Sequence, residues 1–340
     1  MRGNLVSQVI NGLFLFGFFS CAVYFVFLNR YEAPLDRLNK RKEEIEKGIF
    51  SHTEGFPREK DLEATSLEMR KFQQRIETKC KSKYGVVEAA AVPHSSTLRN
   101  TLVSNRYKTL FCFVPKVACG NWKRVFLVLN GHFNTTAEIS GETAHNSRLL
   151  DTLDKYTSQE ITQKLETYKK ILFVREPLQR VLSAYRNKFT TEYHKRVYHE
   201  RVDKEIVKKY RGNSTIDHQY ATFNEFVKYL IDLRPREKLD IHWKPQHHIC
   251  DPCSIKYDFI GRYHTLKSDA KRALGIMGVN NEIEFPDIGK RNNGQRIMRQ
   301  FYSEITENEF LRLRKIYDMD YQLFEYRKPR YSEIFNDYPY

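Results

Sequence analysis

The chain has 340 residues, of which 41% are hydrophobic, 14% aromatic and 29% charged. This composition excludes a disordered chain, a collagen and a multi-span membrane protein, and the length is enough for one large domain or two ordinary ones. Lysine and arginine total 57 against 42 aspartates and glutamates, a net charge of +15. Such an excess favours an anionic partner, for example a nucleic acid, an acidic lipid, a phosphorylated cofactor or an acidic polysaccharide, without choosing among them.

An uncharged apolar stretch at residues 9–28 follows a short tail at residues 1–8. About 20 apolar residues span a bilayer as a helix, so the stretch predicts a transmembrane anchor. A cleaved signal peptide is the alternative, but the sequence at residues 24–28 is a poor cleavage site. Basic residues after the stretch favour a cytosolic domain, whereas glycosylation sequons at Asn134 and Asn213 favour a lumenal one, so these residues alone leave the orientation open.

The rest of the chain divides into two parts by composition. Residues 29–98 are charged and mostly polar, with little apolar periodicity, and they predict a stem. Over residues 99–335, aromatic and β-branched runs alternate with helical patterns. This alternation predicts an α/β domain with a parallel sheet flanked by helices.

The first candidate site is a strand, a loop and a helix. A predicted buried strand at Tyr107–Val114 leads through a loop of mostly small residues, Lys116–Asn121, into a helical pattern over Trp122–Leu129. Free backbone N–H groups and the positive end of a helix form an anion site in such a turn, and Lys116 adds a charge. The loop is not a Walker A motif, because no G-x-x-x-x-G-K-[ST] string occurs in the chain. An ordinary turn with a solvated lysine is an equal alternative.

The second candidate site has a similar layout. An apolar run at Ile171–Val174 is followed by Arg175-Glu176-Pro177 and by a helical pattern over Leu178–Lys188. Arg175 then stands at the carboxyl end of a strand, where ligands bind in open α/β sheets, and its guanidinium suits a phosphate. Ser183 adds a hydroxyl donor further along the helix. Taken alone, a surface arginine is the simpler interpretation.

Together the two segments resemble the Golgi carbohydrate sulfotransferases that include the chondroitin and dermatan 4-O-sulfotransferases. The similarity is carried by FVPKVACGNWKR at residues 113–124 and FVREPLQRVLSAYR at residues 173–186. It covers roughly residues 109–329 in collinear order and implies a P-loop-like parallel sheet, the fold of PAPS-dependent sulfotransferases. Further similar segments are Asp240–Trp243, Cys250–Cys253, Tyr257–Gly261 and Met319–Tyr321.

The resemblance implies a binding site for the sulfate donor PAPS and no metal. In that family the first loop holds the 5′-phosphosulfate and the second holds the 3′-phosphate. The family usually carries Ser or Thr where this chain has Gly120, so one hydroxyl is missing and weaker donor binding is expected. The implied donor-binding residues are Pro115, Lys116, Val117, Ala118, Cys119, Gly120, Asn121, Arg175, Glu176, Pro177, Leu178, Gln179, Arg180, Val181, Leu182 and Ser183.

The same resemblance implies a location and a reaction. The family's topology implies a type II anchor in the Golgi membrane and a lumenal domain, with N-glycans possible at Asn134 and Asn213. The expected reaction is sulfuryl transfer from PAPS to the 4-position of N-acetylgalactosamine in a glycosaminoglycan, chondroitin or dermatan. Another sugar, such as glucuronic acid, is the alternative acceptor, and no nucleic-acid partner is expected.

Sulfuryl transfer resembles phosphoryl transfer, with in-line attack by an acceptor hydroxyl and charge building on the bridging oxygen of the departing nucleotide. We expect Lys116 to neutralise that oxygen. His145 is the first candidate for the base, because it lies between the two segments and imidazole titrates near neutrality. A purely structural histidine is an equal alternative for His145. His242, beside Trp243, is the second candidate, and the remaining candidates are Glu142, His247 and His248.

The cysteines allow two interpretations. Cys250-x-x-Cys253 is half of a zinc motif, but no second half follows. In an oxidising lumen, disulfides are favoured, and an odd number of cysteines leaves one free or paired between chains. The pairing itself is not predicted. The cysteines concerned are Cys80, Cys112, Cys119, Cys250 and Cys253.

Two basic groups suit a polyanionic acceptor, and a solvated surface is the alternative for each. Two other functions are weighed against the enzyme. A membrane-anchored protein that binds acidic glycan without turnover is favoured only by Gly120. A nucleotide kinase is disfavoured because the Walker A motif and an evident set of magnesium ligands are missing. The first basic group is Lys195, Arg196, Arg201, Lys204, Lys208, Lys209 and Arg211, and the second is Lys290, Arg291 and Arg296.

Overall fold

Four strands form one sheet in the order β1-β2-β3-β4. Strands β2, β3 and β4 are parallel, as predicted, whereas β1 pairs antiparallel with β2, so the sheet is mixed. The connection from β1 to β2 is too short for a crossover, and a short connection gives an antiparallel pair. The strands are β1 (Thr101–Ser104), β2 (Thr109–Cys112), β3 (Lys169–Val174) and β4 (Phe259–Arg262).

The structure is a computed structural model that describes residues 59–85, 93–191, 197–211, 220–235, 238–287, 289 and 294–335. All of them belong to one unit, Pro57–Tyr340. Within these residues, no helix combines the length and apolar character that a bilayer crossing requires. The features that lie outside the described residues are the predicted tail and anchor at residues 1–28, the sequon at Asn213, Lys195, Arg196, Lys290 and Arg291.

Helices cover both faces and the ends of the sheet. Short 3₁₀ turns lie at Thr136–Glu138, Leu153–Lys155 and Ser332–Ile334, and a π-helical turn lies at His199–Asp203. The α-helices are α1 (Glu59–Tyr84), α2 (Ser95–Arg99), α3 (Cys119–Leu129), α4 (Gly141–Ala144), α5 (Ser158–Thr167), α6 (Pro177–Phe189), α7 (Lys204–Arg211), α8 (Phe223–Asp232), α9 (Gln246–Cys250), α10 (Leu266–Met277), α11 (Gly294–Tyr302), α12 (Glu307–Ile316) and α13 (Asp318–Leu323).

The main core lies against the sheet and is built from aromatic rings. Trp122 of α3 stacks on Phe111 of β2, with ring centroids 4.7 Å apart, and meets Phe173 of β3 at 4.9 Å. Gly261 of β4 is required by this packing, because a Cβ there would lie 2.4 Å from the Phe173 ring. A second apolar core lies among α6, α8, α11 and α12. Because α6 and α3 both begin at the carboxyl edge of the sheet, the packing fixes two loops at that edge.

Helix α1 corrects the predicted stem, which was expected to extend through residue 98. Phe72, Ile76 and Cys80 of this helix are buried against the main core. A disulfide joins Cys80 to Cys253, which lies 173 positions further along the chain. The apolar positions are four residues apart, but the helix is otherwise so polar that its buried stripe was missed. The stem therefore does not include α1.

The cysteines form disulfides and not a metal site. Cys80 pairs with Cys253 and Cys112 with Cys250, and the described residues leave Cys119 as a free thiol. The predicted disulfides with one unpaired cysteine are confirmed. The half zinc motif is not a zinc site, because both of its sulfurs are covalently used, and the described part of the chain holds no cluster of metal-ligating side chains.

Candidate active site

The loop between β2 and α3, residues 113–118, is shaped as an anion site. Lys116 and Ala118 both have positive φ, 71° and 55°. This left-handed backbone turns the start of α3 so that the N–H groups of Ala118, Cys119 and Gly120 donate to no acceptor in the described part of the chain. Unused N–H groups at a helix N-terminus favour a bound anion. We call residues 113–118 the lysine loop.

Arg175 follows β3 and contacts the lysine loop directly. Its Nη1 donates to the carbonyl oxygen of Lys116 at 3.1 Å. Its backbone is fixed by Gln246, which accepts from the Arg175 N–H at 2.9 Å and donates to the Arg175 carbonyl at 2.8 Å. The guanidinium also lies over the ring of Tyr263, 4.1 Å from its centroid. The two predicted sites therefore meet at one edge of the sheet.

Arg180 has a different position from the one that the resemblance implied. Its side chain is fully buried, and it donates to three carbonyl oxygens: Pro115 at 2.9 Å, Ile241 at 2.8 Å and Lys244 at 2.7 Å. Burial lowers its pKa to about 10, so it stays charged at neutral pH. All three nitrogens are used, so Arg180 holds the lysine loop against residues 241–244 and does not line the cleft.

A cleft of about 320 Å³ opens beside Lys116 and Arg175. Five residues of the predicted donor site line this cleft: Lys116, Arg175, Gln179, Leu182 and Ser183. The Nε2 atom of Gln179 is buried and has no acceptor among the described residues. Sequence reasoning missed the rest of the lining, although several of these residues lie at helical spacing from Ser183 on the same face of α6. The missed residues are Arg186, Asn187, Thr190, Thr191, Gly294, Ile297 and Met298.

Several residues of the implied donor site belong to the core. Glu176 is buried, accepts from the Gln179 N–H at 2.7 Å and accepts from the Tyr321 hydroxyl. Asn121 is half-buried, and its Oδ1 accepts from Arg124 at 3.1 Å. These side chains shape the two loops without facing the cleft. The other implied residues with buried side chains are Pro115, Val117, Pro177, Leu178 and Val181.

The site holds an excess of buried positive charge. Lys123 and Lys188 are each 7% exposed, and neither they nor Lys116 forms an ion pair within the described residues. Burial, with the nearby cations Lys188 and Arg175, lowers the pKa of Lys116 to about 8. Uncompensated buried cations are costly unless an anion joins them. The site is therefore suited to a ligand with several negative charges.

His145 lies beside the lysine loop. Its Nδ1 is 3.5 Å from Nζ of Lys123, and a Cβ built on Gly120 would lie 3.5 Å from its Nε2. Desolvation, followed by the charges of Lys123 and Lys188, lowers the pKa of His145 to about 4. The imidazole is therefore neutral at physiological pH.

His242 lies on the turn that Arg180 holds. Its Nδ1 is 2.7 Å from Oδ1 of Asp240 and 2.9 Å from the hydroxyl of Tyr198. Burial lowers the pKa of His242, and the Asp240 carboxylate opposes that shift. Trp243, beside His242, is fully buried and is part of the core.

The other base candidates lie apart from this arrangement. His247 is buried with Nδ1 2.6 Å from Asp320, which makes it a structural residue, and Glu142 and His248 are exposed. Of the first basic group, Arg211 is bound to Glu225 and Lys204 to Glu200, whereas Lys208 is exposed. The second group's described member, Arg296, is also exposed.

Comparisons with known proteins identify a family and several relatives of this chain. A model of the Sulfotransferase family matches residues 99–327. Carbohydrate sulfotransferase 11 of Rattus norvegicus is 33% identical over 287 residues, which cover 82% of this chain and 81% of that protein. Carbohydrate sulfotransferase 9 of Homo sapiens is 36% identical over 279 residues, 79% of this chain and 62% of that protein. Carbohydrate sulfotransferase 14 of Homo sapiens is 44% identical over 191 residues, 56% and 49% of the two chains.

The chain belongs to the sulfotransferase family, and the resemblance drawn from its sequence is confirmed. It is a PAPS-dependent carbohydrate sulfotransferase, which transfers a sulfuryl group to a glycan. No solved structure matches the chain at a significant level.

The pKa of Lys116 predicts a pH dependence. PAP, the donor without its sulfate, should bind more weakly as the pH rises through about 8, because Lys116 loses its charge there. The full loss should be about ten-fold, the value of one charge-assisted hydrogen bond. Calorimetric titration of PAP between about pH 6.5 and pH 9.5 measures it.

Two variants serve as controls for this titration. Lys116→Arg keeps its charge over the whole range and should bind PAP with a nearly constant affinity. Cys119→Ser removes the neighbouring group whose charge raises the pKa of Lys116, so its loss of affinity should begin at a lower pH than in the wild type. The assignment to Lys116 is wrong if Lys116→Arg weakens with pH as the wild type does.

Proposed function

We propose that the chain transfers a sulfuryl group from PAPS to the 4-hydroxyl of N-acetylgalactosamine in chondroitin or dermatan. The observation that carries the proposal is the contact between Arg175 Nη1 and the Lys116 carbonyl oxygen, at 3.1 Å. It brings a lysine loop and an arginine with a nearby serine hydroxyl to one cleft. A single ligand with anionic groups at both ends fits that arrangement.

The residues present fit the donor. In our proposal the N–H groups of Ala118, Cys119 and Gly120 and the ammonium of Lys116 bind the 5′-phosphosulfate. Arg175 and Ser183 bind the 3′-phosphate. The buried Nε2 of Gln179, which has no acceptor among the described residues, supports an additional polar ligand group in the cleft.

Lys116 then stabilises the charge that develops on the bridging oxygen when the sulfur–oxygen bond to the nucleotide breaks. A donor fixed in a dry site contributes more to such a step than the same donor in water. The acceptor hydroxyl gives up its proton to a base, and the two histidines beside the loop, His145 and His242, are the candidates.

Gly120 does not argue against turnover. A Cβ at this position would have ordinary contacts, 3.5 Å to His145 and 3.8 Å to Arg124, so a serine side chain would fit there. The N–H of Gly120 is available to an anion, and a backbone donor supplies one bond that a hydroxyl would otherwise make. A glycan-binding protein without turnover is therefore the weaker function for this site.

The acceptor is tested by incubating the full chain with radiolabelled PAPS and a panel of desulfated glycans, followed by disaccharide analysis. We expect label on the 4-position of N-acetylgalactosamine. Lys116→Ala should bind the glycan as the wild type does but lose about 10²–10³ in rate. Label on glucuronic acid would contradict the acceptor assignment, and PAP binding without label on any acceptor would contradict the enzyme function.

We also propose a type II orientation in the Golgi membrane, with residues 9–28 as the anchor. Two disulfides within the described residues support an oxidising compartment. The sequon at Asn134 lies on an exposed turn, which a glycosyltransferase can reach. Endoglycosidase treatment should lower the apparent mass of the full chain and remove less from Asn134→Gln; an unchanged mass of the wild type would contradict a lumenal domain.

A further inference from the structure

Two imidazoles lie near the lysine loop, outside the lining of the cleft, and their hydrogen-bond partners differ in kind. Lys123 Nζ lies 3.5 Å from Nδ1 of His145. Lys123 is packed over the Phe113 ring at 4.1 Å, a contact that favours its charged form. An ammonium only donates, so Nδ1 of His145 accepts and the ring proton sits on Nε2.

The protonated nitrogen of His145 faces the anion site. A Cβ on Gly120 would lie 3.5 Å from Nε2, and the N–H of Gly120 is one of the unused donors of the helix start. His145 therefore presents a third kind of N–H donor beside the lysine loop. A neutral imidazole that is protonated on the nitrogen facing the substrate cannot accept a proton at that atom.

His242 has the opposite tautomer. Its Nδ1 lies 2.7 Å from a carboxylate oxygen of Asp240, and a carboxylate only accepts, so Nδ1 carries the proton. The backbone N–H of His242 donates to the same oxygen at 2.9 Å, which fixes the side chain of Asp240. Tyr198 also bonds to Asp240. Nε2 of His242 keeps its lone pair and has no partner among the described residues.

Arg180 fixes the distance between His242 and the lysine loop. It donates to the carbonyl of Ile241, next to His242, and to the carbonyl of Pro115, next to Lys116. The ammonium of Lys188 lowers the pKa of both histidines, which places the two rings around the same charge.

We propose that His242, oriented by Asp240, is the base of the reaction, and that His145 is a hydrogen-bond donor to the transferring group. This inference rests on the proposed function and assigns roles within the same site. The proton of the acceptor hydroxyl passes to Nε2 of His242 while the hydroxyl oxygen forms a bond to sulfur. The bond between sulfur and the bridging oxygen breaks, and PAP leaves with that electron pair.

The charges around each ring agree with these roles. Desolvation, with nearby cations, lowers the pKa of both histidines, although His145 is exposed on one side, so both are neutral before the reaction. Only His242 has a carboxylate partner to stabilise the imidazolium that proton transfer creates. The charged and titratable groups around His242 are Asp240, Tyr198, Lys188 and Arg180, and those around His145 are Lys123, Lys188, His242 and Arg124.

The test compares glutamine and alanine at the two positions. Glutamine donates a hydrogen bond but does not accept a proton, so it can replace a donor and not a base. We expect His145→Gln to retain at least about ten-fold more kcat than His145→Ala, and both to keep the acidic limb of the kcat profile. We expect His242→Gln and His242→Ala to lose the same factor of about 10²–10³ in kcat. Their kcat profiles should lack the acidic limb. Their KM for PAPS should stay within about two-fold of the wild-type value.

Asp240→Asn is a second, independent variant. Loss of the carboxylate removes the group that raises the pKa of His242, so the acidic limb should move to lower pH while PAP binding is unchanged. PAP calorimetry shows which variants are folded, and if the His242 variants do not bind PAP, the Asp240→Asn profile decides. The proposed function is tested by the turnover of the wild type, and the roles of the two histidines are tested only by the variants.

Either of two results overturns the assignment. The first is loss of the acidic limb in the His145 variants with its retention in the His242 variants. The second is an acidic limb in Asp240→Asn at the wild-type position.

Discussion

The buried guanidinium of Arg180 is the interaction on which the site depends. It donates hydrogen bonds to three backbone carbonyl oxygens, those of Pro115, Ile241 and Lys244, and has no carboxylate partner among the described residues. Three charge-assisted hydrogen bonds offset the cost of burying its charge. Because the acceptors belong to the backbone, the bond fixes the path of the chain at the lysine loop and at the turn that carries His242. Donor and acceptor groups are thus positioned before any ligand binds.

The same region concentrates cations that form no ion pair within the described part of the chain. Lys116, Lys123 and Lys188 are largely buried, and burial lowers the pKa of each. A protein in which these charges only stabilised the fold would place carboxylates beside them. Their arrangement instead provides fixed electrostatic stabilisation for a ligand whose bridging oxygen becomes more negative in the transition state. The carboxylate of Asp240 orients His242.

The sequence predicts the strand–loop–helix units well because their signals are local. The apolar runs became β2 and β3, and the helical patterns became α3 and α6 within a few residues. The burial of Arg180 could not be predicted because it depends on contacts with residues 61 to 65 positions away, which no local pattern shows. For the same reason the polar helix α1 was missed as part of the domain and the disulfide partners were not predictable. The tautomers of His145 and His242 also depend on such distant or tertiary neighbours.

The central claim is that the two loops bind opposite ends of one nucleotide, and the most direct measurement is a comparison of two ligands. PAP and 5′-AMP differ only by the 3′-phosphate, and calorimetry gives the affinity of each for the wild type, Ser183→Ala and Lys116→Ala. The account predicts that Ser183→Ala weakens PAP about three- to ten-fold and leaves 5′-AMP unchanged, while Lys116→Ala weakens both. Equal weakening of both ligands by Ser183→Ala, or no effect of Lys116→Ala on either, would contradict it.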